Sequence, residues 1–229
     1  FGVDENDFLK LIKKYRNSKN LNIRCISVHI GSQITKNKPY EKMLKIIKRC
    51  IDKSDYHFDF IDLGGGMGIK YDTKDKSLNY KKYSSSIIKI LKQFKSKIIF
   101  EPGRSIVANA GFLLSKIIYV KDTSKKKFII IDAGMNDLIR PALYNAKHRI
   151  LAAIKKNKKV KTKHEFVGPI CETSDKFLFA NEFQPLDQND ILIICDVGAY
   201  GIVLSSNYNL RPIPAELMVN GSNIKIIRK

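Results

Sequence analysis

The alternation of helix-like and strand-like segments over roughly the first hundred residues constrains this fold more than any other feature. Apolar side chains recur at helical spacing in three segments, and a short apolar run follows each of them. The predicted helices cover residues 4–19, with Asp4 as N-cap, 39–51 and 80–94, and the predicted strands cover residues 23–30, 58–63 and 98–100. Because strands separated by helices are joined by crossover connections, this half of the chain predicts a parallel sheet.

The pattern changes after about residue 108. Short apolar runs predict strands at residues 112–120, 127–132, 165–168, 176–180, 191–197 and 224–227. The only helix-like stretch lies at residues 141–154. The sequence therefore predicts an α/β chain with two domains: residues 1–108, with the parallel sheet, and residues 109–229, a mostly antiparallel β-domain.

Two strand ends carry the residue types of a binding site. Residues 98–104 read Ile-Ile-Phe-Glu-Pro-Gly-Arg, so a predicted buried strand end is followed at once by the Glu101 carboxylate and the Arg104 guanidinium. Residues 58–63 run into three glycines at 64–66, where backbone N–H groups can approach an anion closely. Because ligands bind at strand ends in α/β proteins, the two loops predict a phosphorylated cofactor. The alternatives are a tight glycine turn without a ligand and a surface salt bridge between Glu101 and Arg104.

Composition argues against several classes of function. The formal net charge is +20, but only eight of the 42 basic residues are arginine and lysine is spread over every segment, which fits a compositional bias better than a nucleic-acid-binding face. No apolar run is long enough to span a bilayer and no signal-peptide pattern is present, so we expect a cytoplasmic protein that binds neither nucleic acid nor membrane. The spacings of the four cysteines match no zinc site, so no metal is expected and buried free thiols are the default.

An ordered set of motifs runs along nearly the whole chain. The motifs are Phe1-Gly2, His-Ile-Gly-Ser-Gln at 29–33, the glycines at 64–66, Glu-Pro-Gly-Arg at 101–104, Asp-Ala-Gly-Met-Asn-Asp-Leu-Ile-Arg-Pro-Ala-Leu-Tyr at 132–144, Gly-Pro-Ile-Cys-Glu-Thr-Ser-Asp at 168–175, Gly-Ala-Tyr at 198–200 and Arg-Pro-Ile-Pro-Ala-Glu at 211–216. The block at 132–144 is the most specific. With these motifs the chain resembles the diaminopimelate decarboxylase family, which are pyridoxal 5'-phosphate (PLP) enzymes with an alanine-racemase-like barrel and a β-domain.

The resemblance implies how the cofactor is held. Residues 1–108 would be the C-terminal half of a PLP-binding (β/α)8 TIM-like barrel. Glu101 would pair with the pyridinium nitrogen and keep the ring protonated. The other implied cofactor-binding residues are His29, stacked on the ring; Ser32, near the phosphate; Gly64, Gly65, Gly66, Gly103 and Arg104, with backbone N–H groups on the phosphate; Pro102; and Tyr200, which would contact both PLP and substrate. The alternatives are a hydrogen-bonded structural role for His29 and a core aromatic at Tyr200.

The resemblance also implies how the substrate is bound. Arg104, Arg140 and Tyr144 would bind its distal carboxylate, because guanidinium groups bind carboxylates at two points. Glu172 would hold the distal amino group, and Cys171 would be the catalytic acid that returns a proton after CO2 leaves. Because both enter the active site of the partner subunit in this family, the active unit would be a homodimer with shared active sites. The alternatives are interface salt bridges for the arginines and a buried inert thiol for Cys171.

The activity that the resemblance implies is PLP-dependent decarboxylation of meso-2,6-diaminopimelate to L-lysine and CO2, the last step of lysine biosynthesis. The Schiff-base lysine of the family lies in an early barrel segment of the Tyr-Ala-x-Lys type, which nothing in this chain matches. The resemblance also implies an Arg-Glu-Thr-Tyr-like tail beyond Lys229. We therefore expect a fragment truncated at both ends. Two alternatives stay open: a related ornithine- or arginine-type decarboxylase, against which Glu172 argues, and a catalytically inactive homologue that acts as a binding protein.

Overall fold

The computed structural model describes residues 2–72 and 75–229, so Phe1 of the first motif lies outside the described residues. The described chain divides into two compact units. Unit 1 contains residues 2–70 and 75–106, and unit 2 contains Tyr71, Asp72 and residues 107–229. Among these residues, no helix is both long enough and apolar enough to cross a membrane.

Unit 1 alternates between helices and strands, as its periodicity predicts. Its elements are α1 (Glu5–Tyr15), β1 (Cys25–Ser27), α2 (Asn37–Ser54), β2 (Phe60–Asp62), α3 (Tyr80–Leu91), β3 (Lys97–Ile99) and the start of α4 (Arg104–Val107). The strands form one sheet in the order β1-β2-β3, and both strand pairs are parallel. The predicted parallel sheet is therefore confirmed.

Side-chain contacts explain where two of these helices begin. Asp4 Oδ1 accepts a hydrogen bond from the Asp7 N–H at 2.9 Å, which confirms Asp4 as the N-cap of α1. Asn79 Oδ1 caps α3 in the same way, accepting from the Lys82 N–H at 2.9 Å. The apolar faces of the helices then pack into one core, in which Leu44 of α2 is fully buried. Capping fixes the helix starts, and burial of one face fixes how each helix is turned.

The strand end before Glu101 is less buried than its apolar run predicts. Ile99 is 38% exposed and Phe100 is 43% exposed. β3 lies at the edge of the sheet, so only one of its sides is covered by another strand among the described residues. The prediction of a buried strand end is therefore wrong for these two side chains.

Unit 2 is built around a six-stranded sheet. Its elements are β4 (Leu113–Asp122), β5 (Lys127–Ile131), α5 (Arg140–Tyr144), β6 (Ile150–Ala152), β7 (His164–Val167), β8 (Lys176–Ala180), β9 (Ile191–Ile194), β10 (Glu216–Asn220) and β11 (Asn223–Arg228). The strand order is β6-β9-β4-β5-β7-β8, and every pair is antiparallel except β5 with β7. β10 and β11 form a separate antiparallel hairpin. The sheet is mostly antiparallel, as predicted, with one parallel pair that the prediction omits. The chain as a whole has a mixed α/β architecture.

The predicted helix at residues 141–154 is wrong beyond Tyr144, about one turn from its start. α5 ends at Tyr144, because Asn145 adopts the left-handed conformation (φ 52°) that terminates a helix. Ile150–Ala152 instead forms β6, which pairs with β9. The sequence prediction also omits β10.

Two of the four cysteines are buried and two are exposed. Cys50 and Cys195 are buried, Cys25 and Cys171 are exposed, and all four are free thiols. The default of buried thiols is therefore wrong for Cys25, which lies on the edge strand β1. The alternative of a buried inert thiol is also wrong for Cys171.

Candidate functional site

The candidate cofactor site lies at the carboxyl edge of the parallel sheet in unit 1. The last residues of the three strands, Ser27, Asp62 and Ile99, stand side by side in register. The motifs that follow them, at residues 29–33, 64–66 and 101–104, therefore leave the sheet at the same edge. A parallel sheet binds ligands at this edge, so the strand register brings the predicted loops together where a ligand is expected.

Hydrogen bonds tie His29 and Glu101 to the glycine loop. The Glu101 N–H donates to the Gly64 carbonyl at 2.9 Å. The Gly65 N–H is directed at His29 Nδ1, 3.4 Å away. This long hydrogen bond agrees with the structural alternative for His29, and stacking of its ring on a cofactor stays a prediction.

The glycine loop has no room for side chains. A Cβ atom on Gly65 would lie 2.2 Å from the Glu101 carbonyl oxygen. One on Gly66, whose φ is +84°, would lie 2.2 Å from the Gly31 carbonyl oxygen. Backbone therefore packs directly against backbone here, and no Cβ atom of the loop separates its backbone from a bound anion. The Gly64 N–H already donates to Asp62 Oδ1 at 2.9 Å.

Arg104 is the cationic residue of this edge. It begins α4, is only 8% exposed, and donates from Nη2 to Ser32 Oγ at 3.1 Å. The structure thus brings Ser32, predicted near the phosphate, into contact with Arg104, predicted to bind the substrate carboxylate. The buried position of Arg104 argues against the alternative of a surface salt bridge.

The residues at this edge fit PLP. Phosphate binds guanidinium groups, hydroxyl groups and closely packed backbone N–H groups, and unit 1 offers all three in Arg104, Ser32 and the glycine loop. Glu101 adds a carboxylate at the same edge, which is the group that a protonated ring nitrogen requires.

Unit 2 holds Arg140, Tyr144 and the remaining predicted site residues. Arg140 is 5% exposed, and its guanidinium carbon lies 5.9 Å from the ring centre of Tyr144 and 5.7 Å from that of Tyr71. Contacts with aromatic rings at this range are attractive and restrict the guanidinium plane. The predicted pair is therefore brought together in α5, with Tyr71 as a neighbour that the sequence did not identify.

Asp175 joins two loops of unit 2. Its carboxylate accepts hydrogen bonds from the Met135 N–H and the Ile170 N–H, both at 2.7 Å. Burial raises the pKa of Asp175, and the two backbone hydrogen bonds oppose that rise. A Cβ atom on Gly168 would lie 2.3 Å from the same carboxylate. The loop before α5 and the loop of Cys171 are therefore locked together through one buried side chain.

Cys171 and Glu172 contact a third loop. The Tyr208 hydroxyl donates to Glu172 Oε1 at 2.6 Å, and this hydrogen bond raises the pKa of Tyr208. Asn209 Nδ2 lies 3.8 Å from Cys171 Sγ. The predicted acid and the predicted amino-group ligand are therefore both exposed and both held by neighbouring side chains.

An open cleft of about 460 Å³ lies beside Glu172. It is lined by Met135, Asn136, Ile139, Glu172, Ser206 and Tyr208. Sequence reasoning missed Tyr208 and Asn209. The one indication of these two residues in the sequence is that they lie just before the motif at residues 211–216.

Tyr200 is not a core aromatic, because it is 46% exposed. Its φ of 57° places it in the left-handed region, which a tyrosine rarely adopts without a local constraint. Its predicted contacts with PLP and substrate stay predictions. Within residues 2–72 and 75–229, no group of three or more His, Cys, Asp or Glu side chains is arranged to hold a metal ion.

The chain is similar along its whole length to known decarboxylases. The family profile described as "Pyridoxal-dependent decarboxylase, C-terminal sheet domain" matches residues 15–198. Curated diaminopimelate decarboxylases of Aquifex aeolicus and Zymomonas mobilis are 41% and 39% identical over 100% of this chain, which covers 55% of each of them. The chain therefore spans about half the length of the curated relatives it matches.

Solved structures give the same result. The crystal structure of diaminopimelate decarboxylase from Helicobacter pylori complexed with L-lysine has a TM-score of 0.91 at 35% identity, with 100% of this chain and 57% of that chain covered. The arginine decarboxylase of Paramecium bursaria Chlorella virus, with a TM-score of 0.79 at 18% identity over 91% of this chain and 58% of its own, shares the fold alone.

Proposed function

Because this chain belongs to the pyridoxal-dependent decarboxylase family, we propose that the full-length protein converts meso-2,6-diaminopimelate to L-lysine and CO2, the last step of lysine biosynthesis. The observation that carries the proposal is the similarity of the entire chain to curated diaminopimelate decarboxylases, at 36–41% identity. In the related Helicobacter pylori structure the bound molecule is L-lysine, the product of the proposed reaction. A cytoplasmic location stays a prediction.

The proposal assigns each half of the chain to one domain. Residues 1–108 form the C-terminal half of a (β/α)8 barrel that holds PLP, and residues 109–229 form the β-domain that carries substrate-binding and dimer-partner residues. The parallel β1-β2-β3 sheet with its helices supports the first assignment, because such a barrel is built from parallel strands that alternate with helices.

The residues of unit 1 hold and polarise the cofactor. PLP, when bound, supplies the electron sink that makes loss of CO2 possible. The backbone N–H groups of residues 64–66, Gly103 and Arg104 would hold its phosphate, and Pro102 would contact the cofactor from the same loop as Gly103. Glu101 would hold a proton on its ring nitrogen, and His29 would contact the ring. The proposal adds one contact from outside unit 1, that of Tyr200.

The remaining residues bind the substrate and move one proton. Arg104, Arg140 and Tyr144 bind the distal carboxylate, and the near-complete burial of both arginines supports this, because a carboxylate binds more strongly where water is excluded. Glu172 binds the distal amino group. The bond between the reacting carbon and its carboxylate breaks, CO2 leaves, and Cys171 donates a proton to that carbon.

The proposed activity is tested directly on the full-length protein. Purified protein with PLP is expected to release CO2 from carboxyl-labelled meso-diaminopimelate and to form L-lysine in equal amount. Release of CO2 from ornithine or arginine, but not from diaminopimelate, would identify the related decarboxylase instead. No release from any of the three, by a folded protein that binds no PLP, would identify an inactive homologue.

The proposed sharing of active sites between two subunits predicts complementation between inactive variants. Glu101→Gln and Cys171→Ala subunits mixed in equal amounts, after dissociation and reassembly, are expected to recover about a quarter of wild-type activity, because half of the dimers are mixed and each of these has one intact site of two. If Cys171 acted in the site of its own subunit, every site in a mixed dimer would carry one defect. The mixture would then remain as inactive as the separate variants.

A further inference from the structure

We propose that Tyr208 is a positioning residue that fixes Glu172 to bind the amino group at the distal end of the substrate, an inference that rests on the proposed function. Glu172 is exposed, so its carboxylate would otherwise sample several rotamers. The Tyr208 hydroxyl fixes one carboxylate oxygen, Oε1, at 2.6 Å. The second oxygen, Oε2, has no hydrogen-bond donor within the described chain and is left for an ammonium group.

The loop that carries Tyr208 is itself held at both ends. The Ser206 N–H donates to the Asn136 carbonyl at 2.9 Å, and Arg211 Nη2 donates to the Asp132 carbonyl at 2.5 Å. Both acceptors belong to the loop that precedes α5. The loop that carries Tyr208 is therefore held on either side of this residue, by one backbone donor and one side-chain donor.

The loop that carries Glu172 is anchored on the same segment. Asp175, three residues after Glu172, accepts from the Met135 N–H at 2.7 Å. Donor and acceptor of the Tyr208–Glu172 hydrogen bond are thus fixed to one common loop, residues 132–137. A hydrogen bond between two such anchored groups costs little further conformational entropy to form, so it can hold Glu172 in one orientation.

The Glu172–Tyr208 pair is expected to distinguish ligands that carry the distal amino group from ligands that lack it. Glu172 and Tyr208 line the same open cleft, so the oriented carboxylate faces a space large enough for a small molecule. L-lysine retains the distal amino and carboxylate groups of the substrate. 6-Aminohexanoate retains the carboxylate and the other amino group but lacks the distal amino group. Only ligands with that group can report on Glu172.

The test compares Tyr208→Phe with the wild-type full-length protein. The variant keeps the ring and removes the hydroxyl. We expect KM for diaminopimelate to rise about tenfold with kcat within about twofold, and the Kd of L-lysine, measured by calorimetry, to rise about tenfold, as loss of a charge-assisted hydrogen bond predicts. The Kd of 6-aminohexanoate is expected to stay unchanged. Tyr119→Phe, at an exposed tyrosine of β4, is the matched control. It should have the wild-type KM and kcat for diaminopimelate and the wild-type Kd for both ligands.

Three results would overturn the inference. The first is a Tyr208→Phe variant with the KM and Kd values of the wild type. The second is an equal rise in the Kd of L-lysine and the Kd of 6-aminohexanoate. The third is a fall of kcat together with a fall of Tm, which would indicate a structural role. Failure of the proposed function is distinguishable, because the wild-type protein would then release no CO2 from diaminopimelate. An active wild type with an unaffected variant would count against Tyr208 alone.

Discussion

Replacing Glu101 by glutamine is expected to lower the kcat of the full-length protein by a factor on the order of 10³ while PLP stays bound. Glutamine has the size of glutamate but no negative charge, so it cannot stabilise a proton on the ring nitrogen of the cofactor. The ring would then accept the electron pair released with CO2 far less readily. The backbone contact of Glu101, in which its N–H donates to the Gly64 carbonyl at 2.9 Å, does not depend on the side chain and should keep the loop in place.

The measurement is the rate of CO2 release at saturating diaminopimelate, together with the PLP content after denaturation. Glu41→Gln is a matched control, because Glu41 lies on α2 and pairs with Lys82 at 3.1 Å on the surface, where an ion pair contributes little. A Glu101→Gln variant within about threefold of wild type, with its PLP in place, would remove Glu101 from the proposed chemistry.

The sequence could predict the cofactor edge because a parallel sheet places its strand ends together. Once residues 23–30, 58–63 and 98–100 are assigned to neighbouring parallel strands, their following loops must meet at one edge. The register of Ser27, Asp62 and Ile99 agrees with that expectation. What the pattern could not give was the burial of β3, because burial at a sheet edge depends on what covers that edge and not on the strand's own side chains.

The contacts in unit 2 were less predictable because they join loops that are far apart in sequence. Tyr208 and Glu172 are separated by 36 residues and lie outside any periodic segment. The parallel pairing of β5 with β7 was equally hard to predict. The apolar pattern of each strand shows that it is a strand but not which strand lies beside it. The strand β6 has an apolar pattern too short to distinguish from a helix, and its pairing with β9 decides its conformation.

One missed element did have a local signal. β10 and β11 are joined across a turn in which Gly221 has a φ of 60°, after Asn220. An Asn-Gly pair between two apolar runs is the strongest short-range sign of a hairpin, and reading it would have added β10. Local turn chemistry was therefore informative here, whereas the loop contacts of the site required the folded chain.

Replacing Cys171 by alanine is expected to lower kcat by a factor of about 10² to 10³ and to leave the Kd of L-lysine within about threefold of wild type. Cys171 is exposed, and its one described side-chain contact is the Asn209 amide at 3.8 Å, so its loss should not disturb a core. The loop itself is held by Asp175, which the substitution does not touch. Cys25→Ala, on the exposed thiol of β1, is the control that should retain full activity.

The stereochemistry of the product gives a second measurement of the same role. In D2O the wild-type protein is expected to place deuterium on one face of the carbon that loses CO2, because a fixed donor delivers it from one side. Cys171→Ala should deliver deuterium from solvent to both faces, which NMR of the L-lysine product would resolve. A variant that is slow but still places deuterium on one face would identify another side chain as the donor. Cys171 would then be left with a binding role only.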